Sequence, residues 1–229
     1  MAKITGEYSE PQTTALLVGS YIDSYFEGTL KKFKDEHLDI FKRDGSPKAD
    51  YVQAEEIIER IKSDSLFMQY MSGKKQVICT AELFGAKWKI KIDSLCPDKI
   101  VDLKIMRSME RVMGRSFVEY WGYDLQLAIY NKVWECKHHR DLETYLAVAT
   151  KQSPPDIDII HVPAWHRKEC LAEIEKNMPH ILAVKEGREP AERCGMCPYC
   201  RATKQIKEPV DFELVGFTAS DRKIIEGFI

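Results

Sequence analysis

The chain has 229 residues, of which 44% are hydrophobic and 31% are charged, and its formal net charge at pH 7 is −2. This length suits one large domain with a small appendage, and the hydrophobic fraction is sufficient for a packed core. The charge balance excludes nucleic-acid binding through bulk positive charge, so such binding would need local basic patches. There is no run of about 18 apolar residues and no secretion signal, so we expect a cytoplasmic protein.

The first predicted element is a helix that begins at Pro11, because proline is favoured in the first helical turn. Asp23 lies on the same stripe of this helix as Leu16 and Phe26, which are seven residues before it and three residues after it. A carboxylate on an apolar stripe is unfavourable unless a cation or a hydrogen-bond donor compensates it. We therefore predict that Asp23 faces an internal cavity. The alternative is an exposed aspartate at the rim of the helix.

The next segment alternates between polar and helical patterns. Residues 30–50 are charged and rich in turn residues, which predicts a mobile surface connection. A helix is predicted from Ala54 to Met71, where apolar residues recur with the helical period. The strand that follows, residues 76–83, carries Glu82. Glu82 is either an additional metal ligand or a solvent-facing residue at the sheet edge.

Two strand-like runs, residues 87–95 and 99–106, are joined by a Cys-Pro-Asp turn. Because side chains alternate between the faces of a strand, Asp102 and Lys104 in the second run point the same way. Antiparallel pairing brings Asp93 of the first run beside them. Two carboxylates at one point are costly unless a cation binds, and Mg²⁺ binds carboxylate oxygens while keeping water positions open. The pattern therefore predicts a magnesium site.

Two groups of side chains after this strand are candidates for substrate contacts. Arg107, Arg111 and Arg115 recur every four residues, which predicts one basic helical face suited to phosphates. Their alternative role is to pair with surface acids. Gln126 and Tyr130 share one face of the following predicted helix. A buried amide such as that of Gln126 needs partners, which the acidic site can supply.

The remaining elements define the fold class. Residues 144–151 and 157–162 are predicted strands separated by a Ser-Pro-Pro turn, and a helix is predicted from Ala164 to Val184. Strands followed by helices and then by further strands predict an α/β fold, in which helices flank a mixed central β-sheet. We assign residues 1–185 to this domain. Residues 186–229 form a small Cys-containing appendage that we expect to pack on the same domain.

The appendage carries the motif C-x-x-C-x-x-C at Cys194, Cys197 and Cys200. This spacing is typical of metal ligands, and the seven cysteines of the chain are expected to be reduced because no secretion signal is present. A closed Zn²⁺ or [4Fe–4S] site needs four ligands, so Cys170 or a histidine would have to complete it. The alternative is a metal-free knuckle of packed thiols.

Three features together resemble the PD-(D/E)XK nuclease superfamily, and most closely its RecE/RecB-like branch of phage recombination exonucleases. They are Asp93, the run Asp102-Leu103-Lys104, and the pair Gln126-x-x-x-Tyr130. The resemblance covers residues 10–135 and the cysteine motif. It implies a restriction-endonuclease-like core and hydrolysis of DNA with Mg²⁺, or with Mn²⁺ as the alternative metal. It also implies a single-strand annealing recombinase as partner and a homo-oligomer.

The resemblance assigns a role to each site residue. The implied metal ligands are Asp23, Asp93, Asp102 and the carbonyl group of Leu103. Lys104 would position or deprotonate the attacking water, while Gln126 and Tyr130 would contact substrate or orient the lysine. At the position of Asp23 the resembling nucleases carry a histidine ligand, and this chain offers an oxygen ligand that also suits Mg²⁺. Some related nucleases hold a [4Fe–4S] cluster with a fourth cysteine before the first helix, but this chain has no cysteine before Cys79.

Two other functions are compatible with the same residues. One is an endonuclease that cuts branched or single-stranded DNA. The other is a non-catalytic DNA-binding or assembly protein built on a degenerate nuclease fold. The intact set of Asp93, Asp102 and Lys104 favours an enzyme over the second alternative.

Overall fold

The computed structural model describes residues 6–9, 12–195, 197–206 and 209–214. The chain divides into two compact units, residues 12–179 and residues 1–11 together with 180–229. We predicted the boundary between residues 185 and 186, a few residues after the division between residues 179 and 180. The packing of the appendage on the larger unit stays a prediction. Pro11, where we predicted the first helix to begin, lies outside the described residues. Within the described ranges, no helix is both long and apolar enough to cross a membrane.

The larger unit is built on one five-stranded sheet whose strands lie in chain order. The strands are β1 (Lys74–Leu83), β2 (Ala86–Leu95), β3 (Lys99–Met106), β4 (Glu143–Thr150) and β5 (Ile157–Val162). β3 and β4 are parallel, and the other neighbouring pairs are antiparallel. The mixed sheet predicted from the sequence is therefore confirmed. Its one parallel pair requires a crossover connection, which is helical here.

Helices cover both faces of this sheet. They are α1 (Thr14–Glu27), α2 (Leu30–Glu36), α3 (Ala49–Lys62), α4 (Ser65–Tyr70), α5 (Phe117–Tyr120), α6 (Tyr123–His138) and α7 (Ala164–Lys185). A further helix, α8 (Pro198–Ala202), belongs to the smaller unit. One apolar cluster joins α1 and α3 to residues such as Val101 and Leu103 of β3. A second cluster joins α6 to residues such as Ile92 of β2 and Ile100 of β3. The strands that carry the predicted site residues are thus anchored from both sides.

Two predicted elements between residues 30 and 71 were wrong in detail. The segment predicted as a mobile connection contains α2 and a 3₁₀ turn at Leu38–Ile40. α2 is ordered by tertiary contacts, because the ring of Phe33 packs edge-on against Tyr21 with their centroids 5.8 Å apart. The single helix predicted over Ala54–Met71 is interrupted between α3 and α4. Asp64 begins α4, since its side chain accepts a hydrogen bond from the Phe67 amide.

The arginine segment after β3 is a loop rather than the predicted helix. Val112 and Arg115 exchange backbone hydrogen bonds around a two-residue turn. Both central residues have positive φ, 50° at Met113 and 78° at Gly114, as required in a tight hairpin turn. Ser116 then starts α5 with a capping box that includes the Glu119 side chain. The arginine spacing of four residues therefore does not produce a shared helical face.

Candidate metal-binding active site

The site forms where β2 and β3 separate. Their antiparallel pairing joins Leu95 to Ile100 and Ser94 to Val101, and it ends there. Asp93 precedes Ser94 in β2 and is the first residue of that strand beyond the paired region. Its Oδ2 atom accepts a hydrogen bond from the Leu103 amide at 3.0 Å. The carboxylate thus satisfies a backbone donor that the ladder no longer pairs. This contact fixes Asp93 in the fork between the two strands.

Asp102 lies at the base of the fork and is only 2% exposed. Its Oδ1 atom accepts a hydrogen bond from Gln126 Nε2 at 2.9 Å, and its Oδ2 atom lies 2.5 Å from Lys104 Nζ. Burial raises the pKa of Asp102, and the ammonium of Lys104 opposes that effect. Burial disfavours the charged form of Lys104, but the nearby Asp102 and Asp93 carboxylates together outweigh it and raise the pKa of the lysine. Lys104 is therefore protonated at neutral pH.

Asp23 reaches the same place from helix α1. It lines a recess together with Asp93 and Leu103, at the mouth of the fork. Burial, followed by the nearby carboxylate of Asp93, raises the pKa of Asp23 to about 7. Asp102 and Lys104 also act on Asp23 electrostatically, with opposite signs. The structure thus brings Asp23 together with the acids of β2 and β3.

The donor set of the fork fits a hard divalent cation. When all three are ionised, the carboxylates of Asp23, Asp93 and Asp102 exceed the charge of Lys104 by two. Burial and this crowding of acids raise the pKa of Asp23 and of Asp102. Glu27 and Lys75 also line the recess and offset each other, so this excess remains. Carboxylate oxygens and a backbone carbonyl are the ligands that Mg²⁺ and Mn²⁺ prefer. Asp23, Asp93, Asp102 and the Leu103 carbonyl are the groups that would hold such an ion.

Gln76 of β1 is part of this site and was missed in the sequence analysis. Its Nε2 atom donates to Asp93 Oδ1 at 3.3 Å, while its Oε1 atom is buried and has no hydrogen-bond partner. Its backbone has φ of 53°, an unfavourable value for a residue other than glycine. The available signal was the hairpin register, in which Lys75 pairs with Ser94 and Val77 pairs with Ile92. That register places Gln76 across from Asp93.

We expect Gln76→Ala to weaken Mn²⁺ binding by about 10-fold to 100-fold, because outer groups that orient a ligating carboxylate have effects of this size. Isothermal titration calorimetry with Mn²⁺ measures the change directly. Gln69→Ala is the matched control, since Gln69 is exposed on α4. Equal Mn²⁺ affinities for the two variants would show that Gln76 does not support the site.

Tyr123, at the start of helix α6, contacts the site, although the sequence gave it no role there. The Nζ atom of Lys104 lies 5.1 Å from the centroid of its ring, a cation–π contact. Tyr130, one turn after Gln126, is half-buried, and burial followed by the Asp102 charge raises its pKa. Side chains of helix α6 thus contact both Lys104 and the buried Asp102 carboxylate. Helical periodicity places Tyr123 on the same face as Gln126 and Tyr130. Aromatic residues at helical spacing are common in cores, so the spacing alone did not assign Tyr123 to the site.

Glu82 and the three predicted DNA-binding arginines make no hydrogen bond or ion pair with the acids of the fork among the described residues. Glu82 is exposed and lies 3.8 Å from Lys87 across the β1–β2 hairpin. It is six residues along β1 from Gln76, which corresponds to about 20 Å of extended strand. The arginines at 107, 111 and 115 are exposed in the loop after β3. Arg111 donates to the Gly114 carbonyl at 2.6 Å and so braces the turn.

The three cysteines of the C-terminal motif converge in the smaller unit. Their sulfur atoms lie within 4.8 Å of one another, and those of Cys194 and Cys200 are 3.8 Å apart. Four thiolates around Zn²⁺ at about 2.3 Å would be separated by about 3.8 Å. Backbone amides point at two of the sulfurs, since Cys197 donates to Cys194 Sγ and Cys200 donates to Cys197 Sγ. Among the described residues, no fourth acidic, histidine or cysteine side chain joins this group.

Comparison with known proteins agrees with this geometry. The crystal structure of a candidate exonuclease from Eubacterium rectale, at 2.19 Å resolution, is 48% identical and superposes with a TM-score of 0.85. The match covers 94% of this chain and 84% of that chain. The structure of SSO0001 is 12% identical over 90% of this chain and 93% of that one, and its TM-score of 0.36 is too low to support any inference. No curated protein matches.

The family model that matches is described as a PDDEXK-like domain of unknown function (DUF3799), and the match spans residues 1–203. It includes every residue of the fork and the three cysteines of the C-terminal motif. The resemblance to the PD-(D/E)XK superfamily is therefore confirmed, while the RecE-like assignment stays a prediction. The chain belongs to the PDDEXK-like family DUF3799.

Proposed function

We propose that the protein is a Mg²⁺-dependent DNA exonuclease. The observation that carries this proposal is the convergence of Asp93, Asp102 and Lys104 at the fork of β2 and β3. The family and the similar structure described as a candidate exonuclease support nuclease activity. Exonuclease specificity and a role in phage or prophage recombination belong to the proposal. So do a single-strand annealing partner, a homo-oligomeric state and a cytoplasmic location.

When bound by the acids of the fork, Mg²⁺ supplies Lewis-acid stabilisation of the charge that develops on the phosphate, and it lowers the pKa of its water. Lys104 supplies a fixed positive charge. Asp102 and the ring of Tyr123 position its ammonium, and the Lys104 side chain is 20% exposed. Because its raised pKa keeps Lys104 protonated, we propose that it donates hydrogen bonds to the attacking water or to a phosphate oxygen. Gln126 keeps the Asp102 carboxylate oriented.

One assay separates the three candidate functions. The protein is incubated with linear duplex, nicked circular and covalently closed circular DNA, and with circular single-stranded DNA, in Mg²⁺ or in EDTA. Degradation of linear DNA alone is the expected result. Cleavage of circular single-stranded DNA would instead identify an endonuclease. Binding without cleavage in either Mg²⁺ or Mn²⁺ would identify a non-catalytic DNA-binding protein.

The loop after β3 gives a separate prediction about DNA binding. Arg107 and Arg115 are exposed where β3 leaves the site, so we propose that they contact phosphates of the bound strand. Replacing both with alanine should weaken binding and reduce the slope of log K against log salt by about one unit for each lost contact. Fluorescence anisotropy at several salt concentrations measures this slope.

The matched control is Arg140→Ala. Arg140 is also exposed, but it precedes β4, which runs parallel to β3. It therefore lies at the end of the parallel strand pair opposite to Arg107. An unchanged salt slope in the Arg107 and Arg115 variant would assign these side chains to the solvated surface only.

A further inference from the structure

A second cluster of metal-binding side chains lies in the larger unit, apart from the fork. Asp124 is in the first turn of α6, and His166 and Cys170 are in the first two turns of α7. Because His166 and Cys170 are four residues apart on one helix, they share a face. One ligand atom from each of the three residues lies within 4.8 Å of the other two. We propose that Asp124, His166 and Cys170 form a zinc-binding site that ties α6 to α7.

The chemistry of the donors selects zinc rather than magnesium. A thiolate and an imidazole are soft or intermediate ligands, and Zn²⁺ commonly binds three protein ligands of these kinds with a fourth position open to water. Ligand atoms at about 2.0 to 2.3 Å from a tetrahedral zinc ion are about 3.3 to 3.8 Å from one another. The three ligand atoms of the cluster, within 4.8 Å of one another, lie near this spacing.

The three ligands, once zinc is bound, would match the charge of one dication. Asp124 is 5% exposed and Cys170 is 4% exposed, so two potential anions are buried side by side. Within the described residues, the ion-pair partner of Asp124 is His166, whose Nε2 atom lies 2.8 Å from Asp124 Oδ2. The neighbouring Arg167 does not compensate them, because its guanidinium pairs with Asp141 instead. Zinc binding would displace the thiol proton of Cys170 to solvent. The carboxylate, the thiolate and a neutral imidazole would then carry two negative charges, which one Zn²⁺ neutralises.

The imidazole of His166 is already oriented for such a role. Its Nε2 atom faces Asp124, while its Nδ1 atom lies 3.7 Å from Glu169 Oε2 on the outer side. Histidine ligands of zinc commonly direct the second ring nitrogen to a carboxylate, which fixes the ring and strengthens the ligand. His166 is also partly exposed, so an ion can enter from solvent. The site would hold in place α6, which carries Gln126 to the buried carboxylate of the fork.

Cobalt binding tests the proposal without reference to cleavage activity. A thiolate bound to Co²⁺ gives a charge-transfer absorption in the near ultraviolet, and the carboxylates of the fork do not. The experiment uses the full chain with Cys194, Cys197 and Cys200 replaced by serine, so that the C-terminal cluster contributes no sulfur. We expect a band that saturates at about one Co²⁺ per chain, is removed by excess Zn²⁺, and is lost when Cys170→Ser is added.

The control is Cys136→Ser, because Cys136 is an exposed thiol on the same helix α6. This variant should keep the band. Circular dichroism shows whether the triple-serine chain is folded. If it is folded and still has Cys170 but gives no cobalt band, the proposal is overturned. If the triple-serine chain does not fold, elemental analysis of the otherwise unchanged chain replaces it. Cys170→Ala should then lose about one zinc per chain relative to Cys136→Ala, and equal zinc contents would overturn the proposal.

Discussion

Asp102→Asn is expected to lower the rate of Mg²⁺-dependent DNA cleavage by roughly three orders of magnitude or more, while the protein stays folded. A carboxylate that holds a catalytic metal contributes several kcal/mol of transition-state stabilisation, and each 1.4 kcal/mol corresponds to about a tenfold change in rate. Asparagine retains an oxygen that can accept the hydrogen bond from Gln126. Burial disfavours the charged form of Asp102, and the gain from removing that charge offsets the cost of leaving Lys104 Nζ without its carboxylate partner.

Asp93 allows its charge to be separated from its structural contact. Asp93→Asn keeps an acceptor for the Leu103 amide, whereas Asp93→Ala leaves that amide without its partner. Both variants should lose activity to a similar extent, but only the alanine variant should also be less stable, by about 1 to 3 kcal/mol. Cleavage of linear DNA and urea denaturation are measured on the same samples.

Asp98→Asn is the matched control for these variants, because Asp98 is exposed in the turn between β2 and β3. Its activity should equal that of the unmodified protein. Normal turnover by Asp102→Asn or by Asp93→Asn would refute the assignment of the fork as the catalytic site.

Local pattern was enough to predict the strands and part of the site. Alternation along β3 places Asp102 and Lys104 on one side, and their 2.5 Å contact follows from that geometry. Helical periodicity likewise placed Gln126 where its amide reaches Asp102. These predictions depend on residues within one element, so they did not require knowledge of the tertiary structure.

The remaining features depend on contacts between distant parts of the chain. The role of Gln76 follows from the register of the β1–β2 hairpin and from a left-handed backbone conformation that no motif indicates. The arginine segment was misassigned because a spacing of four residues favours a helix, whereas the Met113-Gly114 turn prevents one. Helix α2 was missed because packing against Tyr21 orders it despite its charged composition. In each case a tertiary or backbone constraint outweighed the local preference.

Asp23 is expected to make the stability of the metal-free protein depend on pH. Burial and the nearby Asp93 raise the pKa of Asp23 to about 7 from its ordinary value of 3.8. Because the folded-state pKa lies above the unfolded one, the folded protein binds the proton more tightly. The free energy of unfolding therefore falls as pH rises from about 4 to about 7, and it stays low above that range.

Asparagine cannot ionise, so Asp23→Asn should escape this loss. In EDTA at pH 8, we expect the variant to be more stable than the unmodified protein by on the order of 2 to 4 kcal/mol. At a pH well below 4, Asp23 is protonated in both the folded and the unfolded protein. The difference in unfolding free energy between Asp23→Asn and the unmodified protein should then nearly vanish. Urea denaturation at both pH values measures the change, with Asp35→Asn as the control because Asp35 is exposed on α2.

Mg²⁺ should reverse the order of stability at pH 8, because the ion neutralises the acids of the fork and binds the unmodified protein better than Asp23→Asn. A ligand that binds the folded state adds stability as its concentration exceeds the dissociation constant. Asp23→His, which supplies the ligand carried by the resembling nucleases, should retain more activity than Asp23→Ala and shift the metal preference towards Mn²⁺. If Asp23→Asn responds to pH and to Mg²⁺ as the unmodified protein does, Asp23 is not a ligand. The acids of β2 and β3 would then bind the metal without helix α1.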